Sequence, residues 1–107
     1  MHWRRTLWQE LFPHTKRSAT ASEAAAIVVK ILREQLTIVL ELPNQPGVET
    51  MWSRRLVNSE DFEILYVASL RSVGVPSRLS GAGIAEFYEG SHWTTAPSPV
   101  AKTWTQD

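Results

Sequence analysis

The chain lacks cysteine entirely among its 107 residues. This absence excludes disulfide bonds, thiolate metal sites and a thiol nucleophile. An excess of one charge is lacking too, because eleven Lys/Arg residues balance eleven Asp/Glu residues. The basic surface that a nucleic-acid binder usually needs is therefore not expected, and we predict no nucleic-acid partner.

Long apolar runs are also missing. The longest uninterrupted ones, Ala24–Val29 and residues 64–68, fall far short of the ~18 residues that a membrane-spanning helix requires. The first residues, Met1–Arg5, have no apolar core of the kind found in secretion signals. We therefore expect a soluble, cytoplasmic protein without a transmembrane segment, although a domain cut from a larger secreted protein would share these features.

What the sequence does contain is typical of one globular domain over residues 1–107, with 43% apolar and 21% charged residues. Residues 1–13 predict an amphipathic helix that ends at Pro13, and residues 22–107 predict the core. The apolar stripe of this helix includes Trp8 and Phe12. We expect it to dock on the core of its own domain, and the alternative is an interface with a partner or a membrane surface.

Two further helices carry clear start signals, and the second of these also carries a clear stop signal. Thr20 and Glu23 have the spacing of a capping box ahead of an amphipathic segment. Asn58 or Ser59 can cap a third helix, which is apolar on nearly every side and is stopped by Gly74. A helix that is apolar all round is a buried one, so this segment should form the centre of the fold.

Beyond Gly74 the apolar period changes from that of a helix to that of a strand. Residues 78–80 and 84–88 alternate as strands do, and Glu89 and Gly90 predict a turn between strands. Pro97 and Pro99 indicate that the segment after Trp93 is an edge strand or a loop. The predicted class is α+β, with N-terminal helices and a buried central helix packed against a small antiparallel sheet.

The segment Asn58–Arg78 resembles the one commonly written Cys-x-Asp-x-Ala…Leu-Arg-Ala-Leu-Gly-Ile-Pro-Ala-Arg in the transglutaminase-like family, which has a papain-like fold and a cysteine nucleophile. The run Leu70–Arg78 matches the end of that pattern almost position for position. Counting back from Arg78 puts Ser59 at the place of the cysteine. A hydroxyl is a far weaker nucleophile than a thiolate, so the resemblance implies a catalytically inactive domain, a pseudoenzyme with a binding or structural role.

The family's histidine and aspartate can be aligned with this chain in two ways. In the first alignment Ala82 takes the histidine position and Ala96 the aspartate position, so all the catalytic groups are missing. In the second, His92 and Asp107 take these positions, and Ser59, His92 and Asp107 would form the nucleophile, base and orienting acid of a serine hydrolase or acyltransferase. We favour the first alignment, because residues 84–88 alternate like a strand whereas residues 94–99 contain prolines that oppose pairing.

The remaining hypotheses concern binding. Trp52, Trp93 and Trp104 are candidates for lining a cleft around Ser59 that holds a peptide or an amide side chain without turnover. No spacing of histidines or glycines predicts a metal or a cofactor. A third hypothesis is a truncated module that docks a partner through helix 1–12. A protein or peptide partner, and self-association through helix 1–12 or through a sheet edge, stay open as interactions.

Overall fold

A computed structural model describes residues 3–97 of the chain. Its elements in chain order are α1 (Trp3–Thr15), α2 (Ala21–Gln35), β1 (Thr37–Ile38), α3 (Val48–Arg54), β2 (Leu56–Val57), α4 (Ser59–Ser72), β3 (Ser77–Leu79), β4 (Ala85–Glu89) and β5 (His92–Thr95). This is the predicted α+β class, with helices preceding a small antiparallel sheet.

Helix α4 lies at the centre of the fold, as its apolar sequence predicts. Phe62, Leu65 and Tyr66 are almost completely shielded from solvent, and Ile64 is the main apolar exception. The helix ends at Ser72, two residues before Gly74, whose positive φ of 89° suits a residue without a side chain. The N–H of Val75 donates to the carbonyl of Leu70 over 2.9 Å, which closes the helix terminus in the way a following glycine favours.

The antiparallel sheet has the strand order β3-β4-β5, so β4 is its central strand. Ala85 and Phe87 of β4 point towards the core, while Glu86 and Tyr88 lie on the opposite face. The sheet packs on α4 and α2 through this inner face. A separate parallel pair joins β1 to β2, two residues each, and leads the chain into the start of α4.

Helix α1 docks on the domain's own core, in agreement with the favoured hypothesis. Leu7 and Leu11 are fully buried where α1 meets α2 and α4. The prediction that Pro13 ends this helix is wrong, because α1 continues to Thr15. Thr15 is buried, and the N–H of Lys16 donates to the carbonyl of Phe12 over 2.9 Å, so the last turn has stabilising contacts that offset the missing N–H of proline.

Two other features of the structure go beyond the sequence analysis. Helix α3 has no counterpart among the predicted elements, and Met51 and Trp52 anchor it in the core. Strand β5 lies at an edge of the sheet, which is one of the two alternatives predicted for the segment after Trp93, but the expectation that residues 94–99 oppose pairing is wrong for its first part. Thr94 and Thr95 pair with β4 because the prolines lie beyond the end of the strand.

No helix within residues 3–97 is long and apolar enough to cross a membrane. The cytoplasmic location stays a prediction.

Candidate functional site

The start of α4 is anchored by Asn58, which the sequence marks as a candidate cap. Its side-chain oxygen accepts a hydrogen bond from the N–H of Asp61 at 2.7 Å, and this satisfies one of the free amides at the helix terminus. Its side-chain nitrogen donates to the carbonyl of Leu42 at 2.9 Å and to Oδ1 of Asn44 at 2.7 Å. One nearly buried side chain therefore fixes both the helix start and the loop beside it.

Asp61 reinforces the same connection from the first turn of α4. Its carboxylate is only 1% exposed, and Oδ2 accepts the N–H of Gln45 at 2.8 Å. The side chain of Gln45 in turn donates to the carbonyl of Leu56 at 2.7 Å. The sequence explains Asp61 as a negative charge near the positive end of a helix dipole. The structure adds that this carboxylate holds a distant loop against the helix.

A cleft of about 430 Å³ opens where this loop meets α4. It is lined by Leu40, Leu42, Pro43, Asn44, Asn58, Ser59 and Glu60. Ser59 and Glu60 are exposed in the first helical turn, where backbone N–H groups have no carbonyl to pair with inside the helix. The cleft thus combines donor groups, a carboxylate and leucine side chains, which suits a small ligand with both polar and apolar parts.

The cleft offers Ser59 no histidine as a general base. The residues that line it, all within the described part of the chain, include neither an imidazole nor a thiol. A serine hydroxyl becomes an effective nucleophile only when a neighbouring base removes its proton. The arrangement can accept hydrogen bonds from a ligand or donate them to it, and the Glu60 carboxylate is the one proton acceptor among its lining side chains.

The second turn of α4 is tied to the sheet by Glu63. Its Oε1 accepts the N–H of Ala85 at 2.9 Å, at the start of β4. Burial raises the pKa of Glu63, and the hydrogen bond from Ala85 opposes this shift without cancelling it. The cleft and the sheet are therefore positioned by the same few turns of one helix.

Tyr66, one turn further along α4, holds the segment that follows β5. Its hydroxyl lies 2.7 Å from the carbonyl oxygen of Pro97 and 3.3 Å from that of Ala25. Burial raises the pKa of Tyr66, and the nearby charge of Glu63 raises it further. The phenol stays protonated and can donate its one hydrogen to either of these carbonyl groups throughout the ordinary pH range.

The structure does not join Ser59 and His92 within residues 3–97. His92 is exposed at the start of β5 and lies opposite Glu89, whose carboxylate accepts hydrogen bonds from Ser22 at the start of α2. The hydrogen bond that joins β4 to Glu63 of α4 is at Ala85, which lies four residues, about 13 Å along the strand, from Glu89. Asp107 lies outside the described residues. The Ser59/His92/Asp107 set stays a prediction.

The candidate tryptophans Trp52 and Trp93 lie in different parts of the structure. Trp52 is buried in α3 with the guanidinium of Arg55 4.0 Å from its ring centroid. Trp93 lies on the outer face of the sheet, between Arg78 at 3.9 Å and Tyr88 at 5.3 Å. Neither lines the cleft at Ser59, and Trp104 lies outside the described residues. Ligand binding by these tryptophans stays a prediction.

The cleft residues that sequence analysis missed are those of the loop, Leu40, Leu42 and Asn44. The signal for them was present only in part, because Pro43 and Gly47 predict a turn but not the surface it packs on. Residues 3–97 hold no group of three or more His, Cys, Asp or Glu side chains that could bind a metal ion.

Together, these features define a small α+β domain with a cleft at the start of a buried central helix. No protein-family model, curated protein or solved structure matches the chain.

Proposed function

We propose that this protein is a catalytically inactive transglutaminase-like domain whose cleft at Ser59 binds an amide-bearing side chain or a short peptide segment. The architecture supports the proposal, because a buried helix that begins at Ser59 is followed by a three-stranded antiparallel sheet. The resemblance implies this order, with the nucleophile position in the first turn of the helix.

The observation that carries the inactive assignment is the lining of the cleft, where Ser59 has neither a thiol in its own place nor an imidazole beside it. The favoured alignment accounts for this absence. It puts Ala82 at the histidine position, in the loop before β4, and Ala96 at the aspartate position, where its N–H donates to the carbonyl of Ala85. Neither alanine can take or give a proton.

The binding assignment rests on the polar groups around Ser59. An amide side chain has one carbonyl acceptor and two N–H donors. The free N–H groups of the first turn of α4 can donate to its carbonyl oxygen, and the Glu60 carboxylate can accept from its nitrogen. Leu40 and Leu42 supply apolar contact for the aliphatic part of the ligand.

An NMR titration with N-acetylglutamine amide tests the binding proposal. We expect the backbone amide signals of Ser59 and Glu60 to shift, and Glu60→Ala to weaken the response by removing an acceptor. Glu49→Ala, on the exposed side of α3, is the matched control and should leave the titration unchanged. Titration shifts that avoid the first turn of α4 would contradict this binding site.

A fluorophosphonate probe tests the inactive assignment separately. We expect no labelling of Ser59, as for the exposed Ser53 on α3, because no histidine lines the cleft beside Ser59 to activate its hydroxyl. Labelling of Ser59 that disappears in His92→Ala would instead support the serine hydrolase or acyltransferase hypothesis.

The hypothesis that helix 1–12 docks a partner has one supporting observation. Trp8 is 46% exposed although its ring stacks on Phe12 at 5.2 Å, so part of the helix's aromatic surface is not used by the domain's own core. An association that Trp8→Ala abolishes while the domain stays folded would favour this docking role.

A further inference from the structure

The two edges of the three-stranded sheet differ in how their backbone groups are used. The N–H of Ala96 donates to the carbonyl of Ala85 over 2.9 Å, and these two residues lie opposite each other in the register of β4 and β5. In an antiparallel pair of strands, residues whose backbone groups bond to the facing strand alternate with residues whose backbone groups point away from it. It follows that Trp93 and Thr95 direct their backbone N–H and C=O groups away from β4.

The same reasoning applied to β3 gives a different result. The N–H of Ser80 donates to the carbonyl of Ile84, so Ser77 and Leu79 are the residues of β3 that point away from β4. The carbonyl of Ser77 accepts a hydrogen bond from Nε of Arg71 at 2.9 Å. A side chain of α4 therefore covers part of the β3 edge. Within residues 3–97, no other strand pairs with the outer edge of β5.

Strand β5 also lacks the side chains that usually prevent edge pairing. Natural edge strands often carry lysine, proline or a bulge, which make addition of another strand unfavourable. Residues 92–95, His-Trp-Thr-Thr, include neither lysine nor proline, and Pro97 comes only after the strand has ended. The outward-facing groups of Trp93 and Thr95 thus form a short pairing site.

We propose that this site pairs with β5 of a second copy of the chain, in an antiparallel arrangement with a two-fold axis at Thr94. In this register Trp93 of one copy lies opposite Thr95 of the other, and each such pair exchanges both of its backbone hydrogen bonds. The two Thr94 side chains lie opposite each other, a pairing that sheets favour. The result is one continuous sheet built from both copies.

The charge of the chain argues for a second copy as the partner at this edge. The short length of β5 sets the strength of the association. The chain carries no net charge, so two copies approach without long-range repulsion, and β5 itself has no acidic or basic side chain apart from His92. A strongly charged extended partner would find no row of opposite charges along this edge. The strand is short, so the buried area is at the low end for specific interfaces, and we expect a weak dimer that forms at high concentration.

Amide hydrogen exchange of the intact chain at increasing concentration tests this inference, which is independent of the proposed function. We expect protection of the Trp93 and Thr95 amides to increase several-fold with concentration, and that of the Leu79 amide to stay constant. Protection that is the same at every concentration would mean that the chain itself covers the edge, and the proposal would be wrong. Amides that stay unprotected at millimolar protein would also overturn it.

Sedimentation velocity of two proline variants provides the second test. Thr95→Pro removes an N–H that points away from β4, so it should abolish the rise in mass with concentration without removing a hydrogen bond inside the domain. Leu79→Pro makes the same change at the β3 edge and should leave the association unchanged. Equal association of both variants would contradict the proposal. If either variant fails to fold, the exchange measurement on the unaltered chain decides.

Discussion

Helices α2 and α4 both begin with a side-chain cap, but the two caps connect different parts of the molecule. At α2 the Thr20 side chain accepts the N–H of Glu23 at 3.1 Å, and the Glu23 carboxylate accepts the N–H of Ala19 at 2.7 Å. All of these contacts lie within four residues. At α4 the Asn58 side chain also reaches a loop sixteen residues away. A local cap only starts a helix, whereas this long-range cap also builds a cleft.

Among the variants that compare the two caps, Asn58→Ala should cause the largest loss of stability. This change removes the cap of α4 and leaves the carbonyl of Leu42 without its donor, so the free energy of unfolding should fall by about 3 kcal/mol. Urea denaturation measures the loss. Asn44→Ala is the control, because Asn44 is exposed, and it should cost well under half as much. Equal losses for both variants would show that the cap itself contributes little.

Asp61→Ala should have the next largest effect, about 2 kcal/mol, because it leaves the N–H of Gln45 without its charged acceptor at a buried site. We also expect the amide of Gln45 to exchange faster in this variant, since the loop beside the cleft loses its attachment to α4. Glu60→Ala, one position earlier and exposed, is the matched control. An unchanged exchange rate at Gln45 would show that Asp61 does not hold the loop.

Thr20→Ala tests the local cap and should cost about 1 kcal/mol in urea denaturation, the usual value for a lost threonine cap. The cleft should be unaffected, so the amide signals of Ser59 and Glu60 should keep their positions. Thr6→Ala, at an exposed site inside α1, is the control and should change stability little. A loss as large as that of Asn58→Ala would remove the distinction between the two caps.

The smallest effect is the pH dependence contributed by Glu63. Burial raises the pKa of Glu63 above its ordinary value of 4.5, so between that value and the raised one the folded chain holds a proton that the unfolded chain releases. The free energy of unfolding should therefore fall as pH rises through this window.

Glu63→Gln isolates this contribution, because glutamine cannot ionise and keeps an oxygen that can accept the N–H of Ala85. When the urea midpoint is measured at several pH values, we expect the Glu63→Gln variant to lack the decrease in stability with rising pH that Glu63 causes. Glu49→Gln, exposed on α3, is the control and should retain it. A decline of the same size in Glu63→Gln would assign the pH dependence to other groups.

The sequence was sufficient to predict the helix ends that are specified by residues close to them in the chain. The start of α2 follows from Thr20 and Glu23, and the end of α4 follows from Gly74, because a cap and a glycine act within one turn of the residues they affect. The burial of α4 was also predictable, since a helix without a polar face must be surrounded by the rest of the domain.

Short elements were harder to predict. Helix α3 spans Val48–Arg54, too short to be stable alone, and it exists because Met51 and Trp52 are buried against other elements. The extension of α1 past Pro13 likewise depends on the packing of Thr15, which a local propensity for helix ending does not include.

For the candidate site, the sequence by itself determined that the buried helix begins near Ser59 and that Asn58 or Ser59 can cap it. Only the tertiary structure decided that Asn58 and Asp61 reach the loop at residues 42–45 and form a cleft there, and that His92 lies at the far end of a strand. The physical reason is the range of the interactions. Caps and turns depend on neighbours within a few residues, whereas a cleft depends on which distant segments pack together.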